Sequence, residues 1–301
     1  MNLAVITVTY NPDIAILATQ LSQLGPASLR IVVDNGSASP DRERLADLCE
    51  AHGAVFIANA ENLGLASAIN IGAHMALEMK PGLAYLLLLD QDTEPGLGGV
   101  EALVNAYETL LEQGYSPGCV GPRMVDAATG LQHGFHCMTR WRWWRRFPPV
   151  TQTEPVLLAN LNGSGTLIPA DIYRQLGDLD GALFIDHVDT EWSFRLLAAG
   201  YVLYGIPTIG FVHRMGEASV RYWLFGWRVW PSRSPRRHYF LFRNAVILMW
   251  RNYVPGVWKV WAAAKLLVTF AVHALFDVRR KEQSRAMLRG LREGLAGRAA
   301  L

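Results

Sequence analysis

Two aspartates, Asp90 and Asp92, stand one residue apart at the end of an apolar run, in the sequence YLLLLDQDTEPG of residues 85–96. On an extended backbone, residues i and i+2 point to the same side, so both carboxylates can face one ligand. A hard divalent cation, Mg²⁺ or Mn²⁺, takes such oxygen ligands and removes the repulsion between them. A solvated loop in which Asp92 caps a turn explains the pattern about equally well. The pair alone leaves both interpretations open.

A second group of polar residues, in the sequence ENLGLASAIN of residues 61–70, precedes a predicted helix. Backbone N–H groups at a helix N-terminus favour phosphate, and the side chains of Asn62 and Asn70 offer further donors. Capping of the helix by Asn62 is the alternative. Together with the acidic pair, this loop favours a phosphate compound bound with a cation.

Apolar segments that alternate with helical patterns must position these residues. We predict strands at residues 3–9, 29–33, 54–58 and 83–89, and helices at residues 14–24, 42–52 and 66–78. Strands that are apolar throughout are typical of a parallel sheet covered on both faces. Ligands of such sheets bind beyond the carboxyl ends of the strands. Polar motifs follow three of those ends, at residues 9–11, 34–37 and 90–92.

The pattern changes after residue 115. We predict an irregular insertion at 139–149, a loop at 162–165, a strand at 166–169, a helix at 191–199, and a short strand at 202–206. An irregular turn then leads to His213. The prediction is one α/β domain with halves at residues 1–115 and 116–250, followed by a basic helical segment at residues 251–301.

The ordered motifs resemble a known family. The TYN stretch at residues 9–11, the VDNGS stretch at 33–37, the NLG loop with Asn70, and the DQD motif are similar to the nucleotide-sugar-binding half of inverting, family 2 type glycosyltransferases with the GT-A fold. The sequence FIDHVDTEWSFR at residues 184–195 resembles their acidic catalytic motif, although Val188 stands where Glu is commonest. That motif and the later pair Arg243 and Asn244 are similar to bacterial rhamnosyltransferases that use dTDP-L-rhamnose. The resemblance covers roughly residues 3–250.

The resemblance implies a Rossmann-like, mostly parallel sheet flanked by helices, and a nucleotide-sugar donor, with dTDP-L-rhamnose favoured. The residues that it places against the donor are Thr9, Tyr10, Asn11, Asp34, Asn35, Asn62, Gly64, Asn70, Asp90 and Gln91. Asp34 would accept a hydrogen bond from the pyrimidine N3–H, which uracil and thymine share, so this contact does not distinguish UDP from dTDP. The metal is assigned to Asp90, Asp92 and His213, with a purely structural His213 as the alternative.

The resemblance also implies the catalytic residues. Asp189 becomes the general base, Glu191 the second acid, and Arg195 the partner that orients this cluster, while Asp186 competes for the base role. An aspartate with an ordinary pKa of about 3.9 suffices when the acceptor hydroxyl loses its proton late. The acceptor, a cell-surface glycan or a lipid-linked sugar, is expected to contact Asn162, Gly163, Ser164, Trp141 and Trp144.

The charge is divided unevenly along the chain. Residues 1–210 hold 11 Lys and Arg against 22 Asp and Glu, whereas residues 211–301 hold 17 against 4. Such a basic third predicts an anionic partner, and a membrane surface is favoured because no nucleic-acid-binding motif accompanies it. Residues 257–276 are about long enough to span a bilayer. Lys259, Lys265 and His273 favour an amphipathic helix in the interface, with residues 279–298 facing the headgroups; packing on the domain or on a second copy is the alternative.

The N-terminal sequence MNLAVITVTYNPD lacks the basic segment and cleavage site of a secretory signal, and three scattered cysteines fit a reducing compartment. We therefore expect a cytoplasmic enzyme, peripheral on the inner face of the cell membrane. Alternative functions are transfer from a UDP-sugar (galactofuranose or N-acetylhexosamine), glycoside hydrolysis by two carboxylates, and a non-catalytic module that binds membrane surfaces.

Overall fold

The computed structural model describes residues 2–25, 28–214, 219–223 and 227–297. The chain divides into two compact units. The first unit comprises Met1–Cys137, Trp144–Phe184 and Val188–Arg214. The second comprises Met138–Trp143, Ile185–His187 and Met215–Leu301.

Strands and helices alternate over the first half of the chain, as the apolar pattern predicts. The strands are β1 (Leu3–Thr9), β2 (Leu29–Asp34), β3 (Val55–Ala58), β4 (Tyr85–Asp90), β5 (Thr93–Glu94), β6 (Pro117–Asp126), β7 (Phe135–Met138), β8 (Trp143–Arg146), β9 (Val156–Leu158), β10 (Thr166–Pro169), β11 (Val202–His213), β12 (Ser219–Trp223) and β13 (Trp227–Pro231). The helices are α1 (Ile14–Gln23), α2 (Ser39–Ala51), α3 (Leu65–Met79), α4 (Gly99–Glu112), α5 (Ala170–Leu176), α6 (Val188–Ala198), α7 (Pro235–Trp250), α8 (Gly256–Phe276) and α9 (Arg280–Ala296).

The first unit is built on a nine-stranded sheet in the order β3-β2-β1-β4-β10-β6-β11-β5, with β9 paired to β11. Strands β3, β2, β1 and β4 are parallel neighbours, β10 is antiparallel to both β4 and β6, and β6 and β11 are parallel. The mostly parallel sheet follows from helical crossovers, which only parallel neighbours need.

The core of the first unit lies on both faces of this sheet. Strand β1 is buried along its whole length, and Leu86 to Leu89 of β4 are buried as well. Helix α3 lies close to the sheet because Gly72 has no side chain. A Cβ at this position would lie 2.6 Å from Cγ2 of Ile6. Burial on both faces explains why these strands carry no alternating polar residues.

The structure corrects the bounds or type of several predicted elements. Helix α6 begins at Val188, three residues before the predicted start, and the insertion at residues 139–149 contains strand β8. The strand predicted at 202–206 runs on to His213, because its parallel pairing with β6 resumes after a register shift between Ile206 and Gly210. The predicted turn before His213 is therefore part of β11.

Helices α7, α8 and α9 and the hairpin of β12 and β13 belong to the second unit. Glycines of α9 let it pack closely against α7: a Cβ at Gly290 would lie 2.3 Å from the carbonyl oxygen of Tyr239, and one at Gly294 would lie 2.7 Å from that of Arg243. Because α7 packs on α9, this unit begins well before the boundary predicted at residue 250. The basic segment predicted to end at Arg298 passes beyond the described residues, which end at residue 297.

Candidate active site

Polar residues meet at the carboxyl ends of β1, β2 and β4. In the strand register, Thr9 lies beside Asp34, and Val8 lies beside Asp90. Side chains then connect the loops that follow. The N–H of Tyr10 donates to Oε1 of Gln91 over 2.7 Å. The predicted motifs at these three strand ends therefore form one connected edge of the sheet, as expected of parallel strands.

Asp34 forms the buried floor of this edge. Its carboxylate accepts hydrogen bonds from Thr9 Oγ1 at 3.2 Å, from the backbone N–H of Ser37 at 3.0 Å and from the Ser37 hydroxyl. Arg42 Nε lies 3.5 Å from Asp34 Oδ2. Asp34 has no exposed surface, so in this structure it braces the β2 loop, and its contact with a nucleobase stays a prediction.

Asn11 serves the same loops. Its backbone N–H donates to Ser37 Oγ over 2.8 Å, and its Oδ1 accepts from the N–H of Ala38 over 3.0 Å. Asn11 has a φ of 46°, a value that asparagine tolerates better than most residues. Tyr10, by contrast, is 47% exposed, so its ring is accessible to a ligand.

A carboxylate and imidazole cluster lies at the end of β4. One ligand atom from each of Asp90, Asp92 and His213 lies within 4.8 Å of the others. The pairing of β5 with β11 creates this arrangement, because His213 lies beside Thr93 in the register. His213 Nε2 is 3.5 Å from Asp90 Oδ2 and 3.2 Å from Asp92 Oδ1. The prediction that Asp90 and Asp92 face one side is confirmed, and His213 joins them.

The electrostatics of this cluster favour a positive charge. Burial alone would lower the pKa of His213, but hydrogen bonds and Coulomb attraction from Asp90 and Asp92 raise it to about 10. Two carboxylate oxygens and one imidazole nitrogen are also a donor set that Mg²⁺ or Mn²⁺ accepts. Asp90 and Asp92 are partly exposed, so a cation and its other ligands can reach them. These residues fit a divalent cation.

Gln20 and Ser164 hold the backbone that carries the acidic pair. The Gln20 amide is fully buried and donates to the carbonyl oxygens of Asp90 and Thr93 over 2.7 and 2.6 Å. The N–H of Asp90 donates to Ser164 Oγ over 2.9 Å. Ser164 is 5% exposed and positions the acidic loop, and its contact with an acceptor stays a prediction. In the sequence, the only signal for this role is a glutamine within the largely apolar helix α1.

The loop before α3 is held by a chain of asparagines. Asn35 Nδ2 donates to Asn62 Oδ1 over 3.1 Å, and the same oxygen accepts from the N–H of Gly64 over 3.0 Å. Gly64 has a φ of 89°, and a Cβ there would lie 2.7 Å from the Phe184 ring. The first amide of α3, from Leu65, already donates to the carbonyl oxygen of Phe184 over 2.6 Å. Of the predicted phosphate site, Gly64 and Asn62 are therefore in place, but the Leu65 amide is in use.

Asn70 is bonded to the segment around Leu179 and not to this loop, and its predicted role in donor binding stays a prediction. Its Nδ2 donates to the carbonyl oxygen of Leu179 over 2.8 Å, and its Oδ1 accepts from the Leu179 N–H over 3.0 Å. Tyr173 donates a further hydrogen bond to the same oxygen over 3.2 Å. Asn70 thus fastens the segment around Leu179 to α3.

Asp189 lies in the first turn of α6, where its carboxylate is half-buried. Oδ2 accepts a hydrogen bond from the N–H of Gly163 over 3.2 Å, and Oδ1 accepts from the N–H of Thr190 over 2.8 Å. The candidate base therefore contacts the predicted acceptor loop. The helix starts one residue before Asp189, so simple N-capping does not account for this residue.

Glu191 and Arg195 form an ion pair with each other, and Arg195 also bonds backbone carbonyl groups. Glu191 is 1% exposed and pairs with Arg195 Nε at 2.8 Å, one helical turn away. Arg195 also donates to the carbonyl oxygens of Leu176 and Asp178 over 3.0 and 2.7 Å. The predicted pairing of Arg195 is confirmed. Glu191 is buried and orients Arg195 in this structure, and its place among the catalytic residues stays a prediction.

The carboxylate of Asp186, the competing candidate for the base, forms ion pairs with two arginines. It is an ion-pair partner of Arg233 and of Arg237, whose Nη2 lies 2.8 Å away. Burial raises its pKa, but the two guanidinium groups outweigh burial and hold the pKa below its usual value. Asn244 donates to the carbonyl oxygens of Ile185 and Asp186 over 2.7 and 2.9 Å. The surrounding backbone is strained, with φ values of 63°, 60° and 65° at Phe184, Asp186 and His187.

The remaining acceptor residues differ in exposure. Trp141 is 82% exposed and stacks under Arg140, whereas Trp144 is half-buried. Asn162 and Gly163 are half-buried, and a Cβ at Gly163 would lie 3.7 Å from the Asp189 Cβ, an ordinary contact. Their binding of an acceptor stays a prediction.

Comparison with known proteins identifies the family. The model of the family described as Glycosyl transferase family 2 matches residues 5–177. The dTDP-rhamnosyl transferase RfbF of Shigella flexneri is 30% identical over 256 residues, which are 84% of this chain and 82% of that protein. The chain therefore belongs to glycosyltransferase family 2, and it is a glycosyltransferase.

Solved structures share the fold. GalNAc-T7 with UDP, GalNAc and Mn²⁺ matches 96% of this chain with a TM-score of 0.57 and 18% identity. The mannosyltransferase PcManGT of Pyrobaculum calidifontis, in complex with GDP-Man and Mn²⁺, matches 99% of this chain and 87% of its own, with a TM-score of 0.56 and 16% identity. The chain spans about half of GalNAc-T7, at 54%. These likenesses confirm the predicted GT-A fold.

Proposed function

We propose that this protein is an inverting rhamnosyltransferase that uses dTDP-L-rhamnose and a hydroxyl of a cell-surface glycan or lipid-linked acceptor. The observation that carries the chemistry is the cluster of Asp90, Asp92 and His213 at the strand-end edge of a GT-A sheet. The donor is supported by the 30% identity to a dTDP-rhamnosyl transferase over most of both chains.

Asp90, Asp92 and His213 would hold Mg²⁺ or Mn²⁺. A bound cation supplies charge stabilisation for a departing nucleoside diphosphate. The chain's own contribution is a fixed acidic loop, since Gln20 and Ser164 bond the backbone on both sides of Asp90. Preorganised groups of this kind act without reorganising during the reaction.

Asp189 is the base in this proposal. Inversion requires a hydroxyl to attack from the side opposite the diphosphate while its proton passes to a carboxylate. Asp189 is partly accessible and contacts the loop of Gly163, whereas Asp186 is neutralised by two arginines. The accessible carboxylate is the better proton acceptor, because protonation of Asp186 would break two ion pairs.

A donor panel tests the proposal. The purified protein is given dTDP-L-rhamnose, UDP-galactofuranose, UDP-N-acetylhexosamine or GDP-mannose, with a rhamnose-terminated or lipid-linked acceptor, Mn²⁺ or excess EDTA. We expect dTDP release only with dTDP-L-rhamnose and only without EDTA, and inversion at the anomeric carbon by NMR. Turnover of a UDP-sugar alone would overturn the proposed donor. Full activity in EDTA would overturn the proposed dependence on a metal ion.

The matched variants are Asp189→Asn and Asp171→Asn, the latter on an exposed carboxylate that pairs with Arg174 on α5. Asp189→Asn should lower kcat roughly 10³-fold, within the range of general-base catalysis, while dTDP affinity stays at the wild-type value. Asp171→Asn should leave both unchanged. Retained activity in Asp189→Asn would remove Asp189 from the reaction.

A further inference from the structure

The exposed side of α8 is an uninterrupted apolar stripe. At about 100° per residue, one face of this 21-residue helix carries only apolar residues and glycine. This α8 stripe consists of Gly256, Val260, Ala263, Ala264, Leu267, Val268, Ala271 and Leu275, all exposed. Val260, Leu267 and Leu275 are 74%, 73% and 67% exposed, and Val278, just beyond the helix, is 99% exposed. A contiguous exposed apolar surface of this kind marks an interaction site.

The opposite side of α8 is committed to the second unit. Trp258, Leu266 and Val272 are buried there. His273 is fully buried and bonded to Asp277 at 2.7 Å. Among the described residues, α8 is the one helix long and apolar enough to cross a membrane. If α8 crossed a membrane, these buried contacts would be lost. The helix therefore keeps one face packed on the second unit, and its other face is available to a membrane surface.

Charge borders the α8 stripe. Lys259 and Lys265 lie on its two sides in the helical projection, about 40° and 60° beyond its edges. The next helix, α9, presents an exposed basic face, formed by Lys281, Arg285 and Arg292, beside Arg289, which pairs with Glu293 at 2.7 Å. Lysines beside an apolar face and a neighbouring cationic helix complement an anionic lipid surface.

We propose that the α8 stripe and the basic face of α9 dock this protein on an anionic bilayer, with α8 lying in the plane of the interface. Charge determines which partner binds to the α8 stripe. A second copy seated on the same stripe would bring two strongly basic surfaces together, whereas phosphatidylglycerol headgroups neutralise them. Trp141, 82% exposed in the same unit, is of the residue type enriched at membrane interfaces. This inference goes beyond the transferase reaction, and its test does not require turnover.

Site-directed fluorophores test the orientation of the helix. The native thiols Cys49, Cys119 and Cys137 are all buried, so an environment-sensitive dye can be placed on a new surface cysteine. We expect Val260→Cys, Leu267→Cys and Leu275→Cys to shift to the blue with phosphatidylglycerol vesicles, and lipid-borne quenchers to place all three dyes at one shallow depth. Leu131→Cys, at a 68% exposed position of the first unit, should not respond. A central dye much deeper than the outer two would mean a spanning helix, and no shift would mean no insertion; either result overturns the proposal.

Binding itself is measured by vesicle sedimentation. Leu267→Glu should weaken binding to phosphatidylcholine/phosphatidylglycerol vesicles at least tenfold, since a charge is placed in the apolar stripe. Leu131→Glu should bind like wild type. Replacing Lys281, Arg285 and Arg292 by Gln should remove most of the dependence on anionic lipid and on salt. Unchanged binding by Leu267→Glu would overturn the proposal.

A second copy on the stripe predicts a different pattern. In that case Leu267→Glu would turn a dimer into a monomer in sedimentation equilibrium and leave vesicle binding untouched. That outcome would also overturn the membrane proposal. Wild-type circular dichroism and thermal midpoints for both Glu variants guard against unfolding, and Val260→Glu repeats the test at an independent position. dTDP-L-rhamnose turnover of a soluble acceptor, measured in parallel, separates a failure here from a failure of the proposed reaction.

Discussion

Asp92 and Glu94 are carboxylates two residues apart at one end of the sheet, yet their partners differ. Glu94 Oε1 lies 3.1 Å from Arg214 Nη2, so a guanidinium balances its charge. Asp92 shares one imidazole with Asp90. The cluster around His213 therefore keeps excess negative charge even when the histidine is protonated, and this is the charge that a divalent cation compensates.

The pair offers a matched test of the metal site. Asp92→Asn should weaken Mn²⁺ binding roughly 100-fold, because a charge about 4 Å from the ion is worth a few kcal/mol at an effective dielectric of about 20. Glu94→Gln removes a charge two residues away and should change the affinity only a few fold. Electron paramagnetic resonance of free Mn²⁺ measures both. Equal losses in the two variants would mean that Mn²⁺ senses general charge and is not held by Asp92.

At the scale of elements, helix α1 is what holds the acidic loop in place. Gln20 bridges three strands: its Oε1 accepts from Thr7 Oγ1 over 2.8 Å, and its Nε2 reaches the carbonyl oxygens of Asp90 and Thr93. Gln23, one turn on, makes a single comparable bond, from the N–H of Gly96 over 2.9 Å. The two residues differ in how many buried groups depend on them.

Gln20→Leu should therefore cost more than Gln23→Leu. Each buried group that loses its partner costs about 1–3 kcal/mol, so we expect Gln20→Leu to lower the free energy of unfolding by roughly 3–5 kcal/mol and Gln23→Leu by about 1. Urea denaturation measures this difference. Mn²⁺ affinity should fall in Gln20→Leu alone, as its loop loosens. Unaltered Mn²⁺ binding in a folded Gln20→Leu protein would show that Asp90 needs no support from α1.

Elements with an uninterrupted apolar pattern were the ones that sequence could predict. Strands β1 and β10 match their predicted bounds, as does the sheet edge where the motifs meet. The far end of β11 was missed because Gly205, Pro207 and Gly210 are typical of a turn, whereas pairing with β6 and β5 keeps the chain extended. Long-range pairing of this kind leaves no local pattern, although it places His213 in the site.

The site residues also differ in whether their roles could be predicted from sequence. Asp90 and Asp92 were predictable because two carboxylates one residue apart at the end of a strand form a cation-binding pattern, whereas His213 was assigned to the metal only through the family resemblance. The roles of Asn70 and Ser164 were not, since an asparagine or serine bonds a ligand and a backbone group with the same atoms. Only the partner decides, and the partner of Asn70 is Leu179, more than 100 residues away.

At the scale of the whole molecule, the stability of the second unit is expected to depend on pH, because this unit contains buried histidines. His238 is 1% exposed, with Nδ1 2.7 Å from Gln283 Oε1 and its ring 4.4 Å from that of His273. Burial is the main reason that its pKa falls to about 4, and His273 and Arg233 add to the effect. Burial, and then Lys265, likewise lower the pKa of His187 to about 4. Both rings are neutral in the folded protein at neutral pH.

Acid should therefore unfold the second unit first. The unfolded chain takes up protons at these histidines near pH 6.5, but the folded chain does so only near pH 4, so stability is complete above about pH 6.5 and falls as the pH drops towards 4. For His238 the loss is at most roughly 3 kcal/mol. All ten tryptophans except Trp144 and Trp192 belong to this unit, so urea unfolding followed by tryptophan fluorescence at pH 7, 6 and 5 reports on it. His238→Gln should flatten the pH dependence, and His52→Gln in the first unit should not; equal slopes for wild type and His238→Gln would place the acid sensitivity elsewhere.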